Sequence, residues 1–332
     1  MSMDIEYLLF LQNFRNAIND AWTPFLEGLS LFAVTYLIMV PVFVYWAVDK
    51  RRGLYTLASY YVCCGVNAVV KLTACIYRPW VRDARVLPAG RAIETAGGYS
   101  FPSGHTVTAG PIYGGLAVSA WKWSRVISIV CVALVLLTGF SRNYLGVHTP
   151  QDVAVGLLES ALWLFVVARV FRYLEKNPER ERWFLLGLFV FGWLAIAYIT
   201  LKPYPMTYVD GKLLVDPQKM MNDGYGDVAL IIGFAVARFA EGRWVRFEAC
   251  GLGVNGFGAR GPKRRGLVAS VLALVPLWLM LTYMKAPLDG LLGSHWGHFA
   301  NNFLIVVYCV ALVPAIIKLV SAGSAVAESA DV

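Results

Sequence analysis

Three short stretches hold the residues whose types could do chemistry: KLTACIYRP (71–79), FPSGH (101–105) and SRNYLGVHTPQD (141–152). Together they supply three cations (Lys71, Arg78, Arg142), two histidines (His105, His148), and Asp152 four residues after the second histidine. A phosphate ester repels nucleophiles, so cations and N–H donors must neutralise its oxygens as a five-coordinate phosphorus forms. An imidazole attacks only through an unprotonated nitrogen. A carboxylate bonded to its other nitrogen fixes that tautomer and stabilises the positive charge that develops. His148 and Asp152 have these types at a workable spacing. His105 is available to protonate an alkoxide leaving group and then to deprotonate water. These residue types fit phosphoryl transfer through a histidine, a chemistry that requires no metal.

Local spacing shows how each stretch would present its groups. Lys71 and Arg78 are seven residues apart, two helical turns, so both are expected on one helix face, with Pro79 pushing Arg78 out of helical geometry and ending the helix. Pro102 and Ser103 open a further helix whose first-turn N–H groups, with Gly104 allowing close approach, can receive an anion, and His105 sits in that turn. Thr149-Pro150-Gln151-Asp152 resembles a helix start with a capping threonine and proline at the first position, which anchors His148 at its mouth. Each piece alone also has a structural reading: snorkelling cations, a capped helix start, an interfacial ion pair. Their joint occurrence, in order and on one expected membrane face, argues for a site.

K-x6-RP, PSGH and SR-x5-H-x3-D, in that order, resemble the three-part signature of the type 2 phosphatidic acid phosphatase superfamily, which includes lipid phosphate phosphatases, glucose-6-phosphatases and vanadium haloperoxidases. Every signature position is filled, and the resemblance extends over about residues 54–175. It implies that His148 is the nucleophile, Asp152 its orienting partner and His105 the acid, with Lys71, Arg78, Ser103, Gly104 and Arg142 holding the phosphate. The span layout resembles the glucose-6-phosphatase and sphingosine-phosphate phosphatase branch more than the six-span lipid phosphatases, because only two spans precede Lys71.

The elements that must position these residues are membrane spans. Of 332 residues, 58% are hydrophobic and 15% charged, with apolar runs approaching twenty residues, which indicates an all-α, polytopic membrane bundle and argues against a soluble enzyme. Nine spans are expected, near 31–48, 54–77, 104–121, 125–141, 153–171, 183–201, 226–241, 266–284 and 302–319. The seventh is short and carries Arg238. Most of the 29 Lys and Arg residues fall on one side of these spans. The positive-inside rule makes that side cytoplasmic, the N-terminus outside and the C-terminus inside, so the three motifs meet at the extracytoplasmic face. Residues 1–30 read as an interfacial amphipathic segment without a cleavable signal. Residues 31–175 form the phosphatase core, and 176–332 supply further spans of unassigned role. The net charge of +8 is absorbed by membrane topology and does not imply nucleic acid. The six cysteines have neither metal-ligand spacing nor a disulfide framework, and no cofactor is implied.

The expected function is metal-independent removal of phosphate from a lipid phosphate of the phosphatidic acid, prenyl diphosphate or sphingoid phosphate class, membrane lipids being its surroundings. An alternative is hydrolysis or transfer on a soluble sugar phosphate; a remote one is a non-enzymatic lipid transporter. Other features carry less. Gly251-Leu-Gly-Val-Asn-Gly256 matches G-x-G-x-x-G, but no strand precedes it in a basic loop. His295 and His298 flank Trp296 on the outer side, with an interfacial anchor as the default reading and a metal or substrate contact as the sharper ones. Asp210-Gly211 within 206–215 predicts a hairpin that would cap the pocket. Arg82, Arg85 and Arg91 are placed to meet a headgroup or diphosphate, or only solvent and lipid phosphates.

Overall fold

Apolar runs in lipid must satisfy their own backbone polar groups, and helices do so within each segment. The computed structural model, which describes residues 2–209, 211–251 and 264–330, is accordingly helical throughout, apart from one two-residue hairpin pairing Tyr208–Val209 with Lys212–Leu213. In chain order the helices are α1 (Met3–Ala17), α2 (Thr23–Thr35), α3 (Met39–Phe43), α4 (Lys50–Ala74), α5 (Pro79–Arg82), α6 (Gly104–Ala120), α7 (Arg125–Tyr144) and α8 (Pro150–Lys176). They continue as α9 (Glu181–Leu201), α10 (Pro217–Ala240), α11 (Arg264–Leu272), α12 (Leu274–Tyr283), α13 (Lys285–Leu292), α14 (Ser294–Val307) and α15 (Val313–Ala330).

Six stretches are long and apolar enough to cross a membrane, and a seventh is formed if α2 and the segment Met39–Val48, bent by 45°, are taken as one span. The protein is therefore an integral membrane helical bundle. Two further expected spans are helices, but α6 has only 17 residues and α10 carries Lys219, Asp223 and Asp227 in its first half. Large apolar side chains cover outward faces of α7 (Ile129, Val130), α8 (Leu158, Phe165) and α9 (Val190, Leu194), the arrangement a lipid solvent favours. Arg238, near the end of α10, is neutralised by Glu181 (2.8 Å) and by Glu241 one turn on, which explains a cation in an apolar stretch.

α4 is the shared wall. It packs on α6 and α8 to one side and on α10 to the other, and α10 packs in turn on α9 and α14. Close approach between α6 and α8 depends on Gly110, where a Cβ would lie 2.2 Å from Ser160 Oγ. α1 turns Ile5, Leu8 and Leu11 inward and ties down the loops ahead of α6. Arg15 donates to the carbonyls of Leu87 (2.8 Å) and Tyr144 (3.1 Å), and Asp4 pairs with Arg82 (2.9 Å). Among the described residues no disulfide is formed, and five of the six cysteines are buried.

One local expectation is corrected. α4 ends at Ala74, with Cys75 in the left-handed region, so Arg78 is four residues past the helix and does not share a helical face with Lys71. Pro79 opens α5 with Arg78 as its N-cap and does not terminate α4, consistent with the preference of proline for the first helical position.

Candidate active site

His148 lies in the turn between α7 and α8, and its backbone is held from both directions. Its N–H donates to the Arg142 carbonyl (3.2 Å), and its own carbonyl accepts from Asn143 Nδ2 (2.9 Å). α8 then starts with the expected cap. Thr149 and Asp152 form a reciprocal capping box with Pro150 at the first position, so Asp152 is fixed by the helix start itself. One turn of helix separates His148 from Asp152, and this puts Asp152 Oδ2 3.3 Å from His148 Nδ1. The same oxygen accepts from Thr149 N–H (2.8 Å) and Ser100 Oγ (2.5 Å).

The opposite edge of the imidazole meets a cation. Arg78 Nη1 is 2.7 Å from His148 Nε2 and donates to the Val147 carbonyl (2.9 Å), while its Nη2 and Nε reach the carbonyls of Gly97 (3.2 Å) and Gly98 (3.3 Å). With Nδ1–H directed to the carboxylate, Nε2 keeps its lone pair and accepts from Arg78. Burial, followed by the charges of Arg78, Arg142 and Lys71, pushes the His148 imidazole well below its ordinary value, so it is neutral at neutral pH.

Lys71, Arg78, Gly104, His105 and His148 line one cavity of about 510 Å³. The Lys71 ammonium donates to the Pro102 carbonyl, at the turn that opens α6. Ser103 caps that helix without a side-chain hydrogen bond to it; its N–H donates to the Asp152 carbonyl (3.0 Å) and its Oγ accepts from Thr106 (3.0 Å). The second and third motifs are therefore stitched together through backbone. His105 is 7% exposed and its Nε2 has no hydrogen-bond partner among the described residues, which leaves it free toward a ligand. Arg142 is set apart: it is 1% exposed, does not line the cavity, and donates through Nη1 to Ser30 Oγ (2.6 Å). Its Nε and Nη2 have no partner among the described residues.

Sequence reasoning missed Ser100. It directly precedes FPSGH, yet no spacing rule marks it; only the fold brings its hydroxyl to Asp152 and to 3.4 Å from His148 Nδ1. It also missed a second wall: Asp223, Asp227, Lys285, Asn301 and Asn302 line the same cavity, as does His298, for which a substrate contact was one reading. Apart from His298, the other features fall away from the site. Arg82, Arg85 and Arg91 pair with Asp4, Asp83 and Glu94. The hairpin is tied to Tyr77 through Thr207 (2.8 Å), and its described residues do not line the cavity. His295 contacts Asn222, and His298 lies between Asp223 (3.6 Å) and Asp289 (3.4 Å). Residues 252–256 of the glycine-rich stretch lie outside the described residues. Among the described residues no group of three or more His, Cys, Asp or Glu is placed to hold a metal ion.

Comparison with known proteins picks out the same segment of the chain. The PAP2 superfamily profile matches residues 50–176, the interval from the first residue of α4 to the last of α8. Lipid phosphate phosphatase delta of Arabidopsis thaliana is 24% identical over 217 residues, 60% of this chain and 49% of that protein. Phosphatidylglycerophosphatase B of Bacillus subtilis is 26% identical over 42% of this chain and 68% of its own length. Undecaprenyl-diphosphatase of Sulfolobus acidocaldarius is 29% identical over 40% and 65%. The chain thus spans about half the length of the first relative and about two thirds of the other two. No solved structure gives a significant match. The segment α4 to α8, which carries all three motifs, is thus the part of the chain that is similar to the PAP2 superfamily.

Proposed function

We propose that this protein is a membrane phosphoric monoester hydrolase that removes phosphate from a lipid phosphate through a phosphohistidine intermediate. The observation that carries this reading is the His148 ring, held by Asp152 at Nδ1 and facing the cations of the cavity at Nε2. An incoming phosphate takes over the Arg78 donor that Nε2 otherwise accepts. Lys71, Arg78 and the free N–H groups at the start of α6 hold its oxygens, with the unpartnered Arg142 donors as a reserve of charge behind them. Nε2 then attacks phosphorus in line, the bond to the leaving oxygen breaks, and that oxygen takes its proton from His105. Water next attacks the phosphohistidine, giving its proton to His105, and cleavage of the P–N bond restores His148. Asp152 stabilises the imidazolium character of the intermediate. Protein cations supply the charge that a metal would otherwise bring, so turnover is metal-independent.

The relatives named for lipid phosphates support the substrate class, and the position of the site at helix ends lets an acyl or prenyl tail remain in lipid. Reading α6 and α10 as spans, together with the distribution of basic residues, gives nine spans, an outside N-terminus, a cytoplasmic C-terminus and an extracytoplasmic site. The test is phosphate release from a short-chain phosphatidic acid by wild type and His148→Ala. Release by wild type and at least a thousandfold less by the variant is expected; equal release by both defeats the assignment.

A further inference from the structure

The family segment ends with α8, yet the cavity it opens onto is closed by α10, α13 and α14. That geometry is built into the packing. α10 runs against α4 with Gly224 at Leu72, where a Cβ would come within 2.6 Å of Leu72 Cδ1, and with the Asp227 carbonyl 3.1 Å from the Cβ position of Gly65. Asp227 therefore lies beside the stretch of α4 from Gly65 to Leu72 that carries Lys71, and both residues line the same cavity. α14 presses on the same turn of α10, since a Cβ on Gly226 would be 3.1 Å from Asn302 Nδ2 and 3.5 Å from the His298 carbonyl.

The chemistry of this wall differs from that of the phosphate end. Asp227 has no hydrogen bond or ion pair among the described residues, and Asp223 meets only His298 at 3.6 Å. Asn301 is 8% exposed, lines the cavity, and gives its Nδ2 to Asn302 (3.0 Å) while its Oδ1 is buried without a partner. A buried acceptor left unmatched is costly unless a ligand supplies the donor. The volume, about 510 Å³, falls in the range of pockets that take small molecules and far exceeds one phosphate group. A donor-rich group beyond the phosphorus would complete the wall. With Lys71 and Arg78 turned to the phosphate, the wall keeps Lys285 beside Asp223 and Asp227, a mixed charge that neutral hydroxyl donors match.

Resting on the phosphatase reading above, we propose that α10 and α14 form a subsite for a polyhydroxylated leaving group, a sugar- or polyol-like headgroup whose hydroxyls donate to Asp227 and Asn301. The helices outside the family segment thus set substrate choice, while α4 to α8 carry the reaction. The protein would select phosphate esters by the alcohol they release as well as by their tail.

The test compares octyl glucoside 6-phosphate with 6-(octyloxy)hexyl phosphate, an ester of similar reach without hydroxyls. Wild type is expected to favour the glucoside at least tenfold in kcat/KM, and Asp227→Leu and Asn301→Leu each to lower that ratio about tenfold, the scale of one lost hydrogen bond. A wild-type ratio near one, or a ratio unchanged in both variants, overturns the subsite, as does a larger preference for sphingosine 1-phosphate that both variants abolish. Calorimetric binding of the same two esters to His148→Ala reads the subsite without turnover. Selective binding by a protein whose wild type releases no phosphate would sink the phosphatase reading and leave the subsite standing; equal binding of the two esters would sink the subsite alone.

Discussion

Replacing Asp152 by Asn removes one negative charge from behind His148 while preserving the shape of the α8 cap. In the native protein a single oxygen, Oδ2, meets Thr149 N–H at 2.8 Å, Ser100 Oγ at 2.5 Å and His148 Nδ1 at 3.3 Å. An asparagine with its amide oxygen in that place still accepts from Thr149 and Ser100. Two charge-assisted bonds become neutral ones, which costs about 1 kcal/mol each in stability. In the proposed reaction the loss is larger, because the imidazolium formed with the P–N bond would have no buried counter-charge. Breaking such a pair costs roughly 3–5 kcal/mol, or about 10²–10⁴ in rate. The assay is steady-state phosphate release from a short-chain phosphatidic acid, alongside thermal unfolding in the same detergent. A folded variant retaining activity within threefold of wild type refutes the role given to Asp152.

Ser100→Ala removes a donor to that carboxylate but leaves the charge, so a loss of about 5- to 30-fold in kcat is expected, in proportion to a bond of roughly 1–2 kcal/mol; no loss would show that Thr149 N–H alone positions Asp152. The depressed His148 value sets the sign of the pH response: the neutral ring is active, so activity is present above the folded-state value and is lost as pH falls through it. In kcat/KM corrected for ionisation of the substrate, the acid limb attributable to His148 is expected below the ordinary imidazole value of about 6.5, and a limb at or above it contradicts the assignment. Turnover is expected to survive excess EDTA, whereas loss reversed by a divalent cation would show that protein cations are insufficient.

The site was legible where short-range rules govern it. The capping box at Thr149 to Asp152 is local, and it fixes the carboxylate that orients His148 whatever the rest of the chain does. The start of α6 at Gly104 follows the same logic. Lys71 and Arg78 do not share the helix face that their spacing suggests, since the helix breaks at Cys75; both line one cavity through the tertiary fold instead. Ser100 was invisible because its contact with Asp152 is tertiary, across 52 positions. The α10 and α14 wall was invisible for the same reason: Asp227 and Asn301 read as isolated polar residues until helix packing turns them toward one space. Arg142 shows the converse, a signature residue that packs behind the cavity and bonds to Ser30.

The phosphohistidine itself is tested most directly by stereochemistry at phosphorus. A phosphorothioate monoester made chiral with oxygen isotopes is hydrolysed in isotopic water, and the configuration of the released thiophosphate is determined. Two in-line displacements, first by His148 and then by water, predict net retention. Inversion would mean that water attacks the ester directly, and the role of His148 as nucleophile would be wrong.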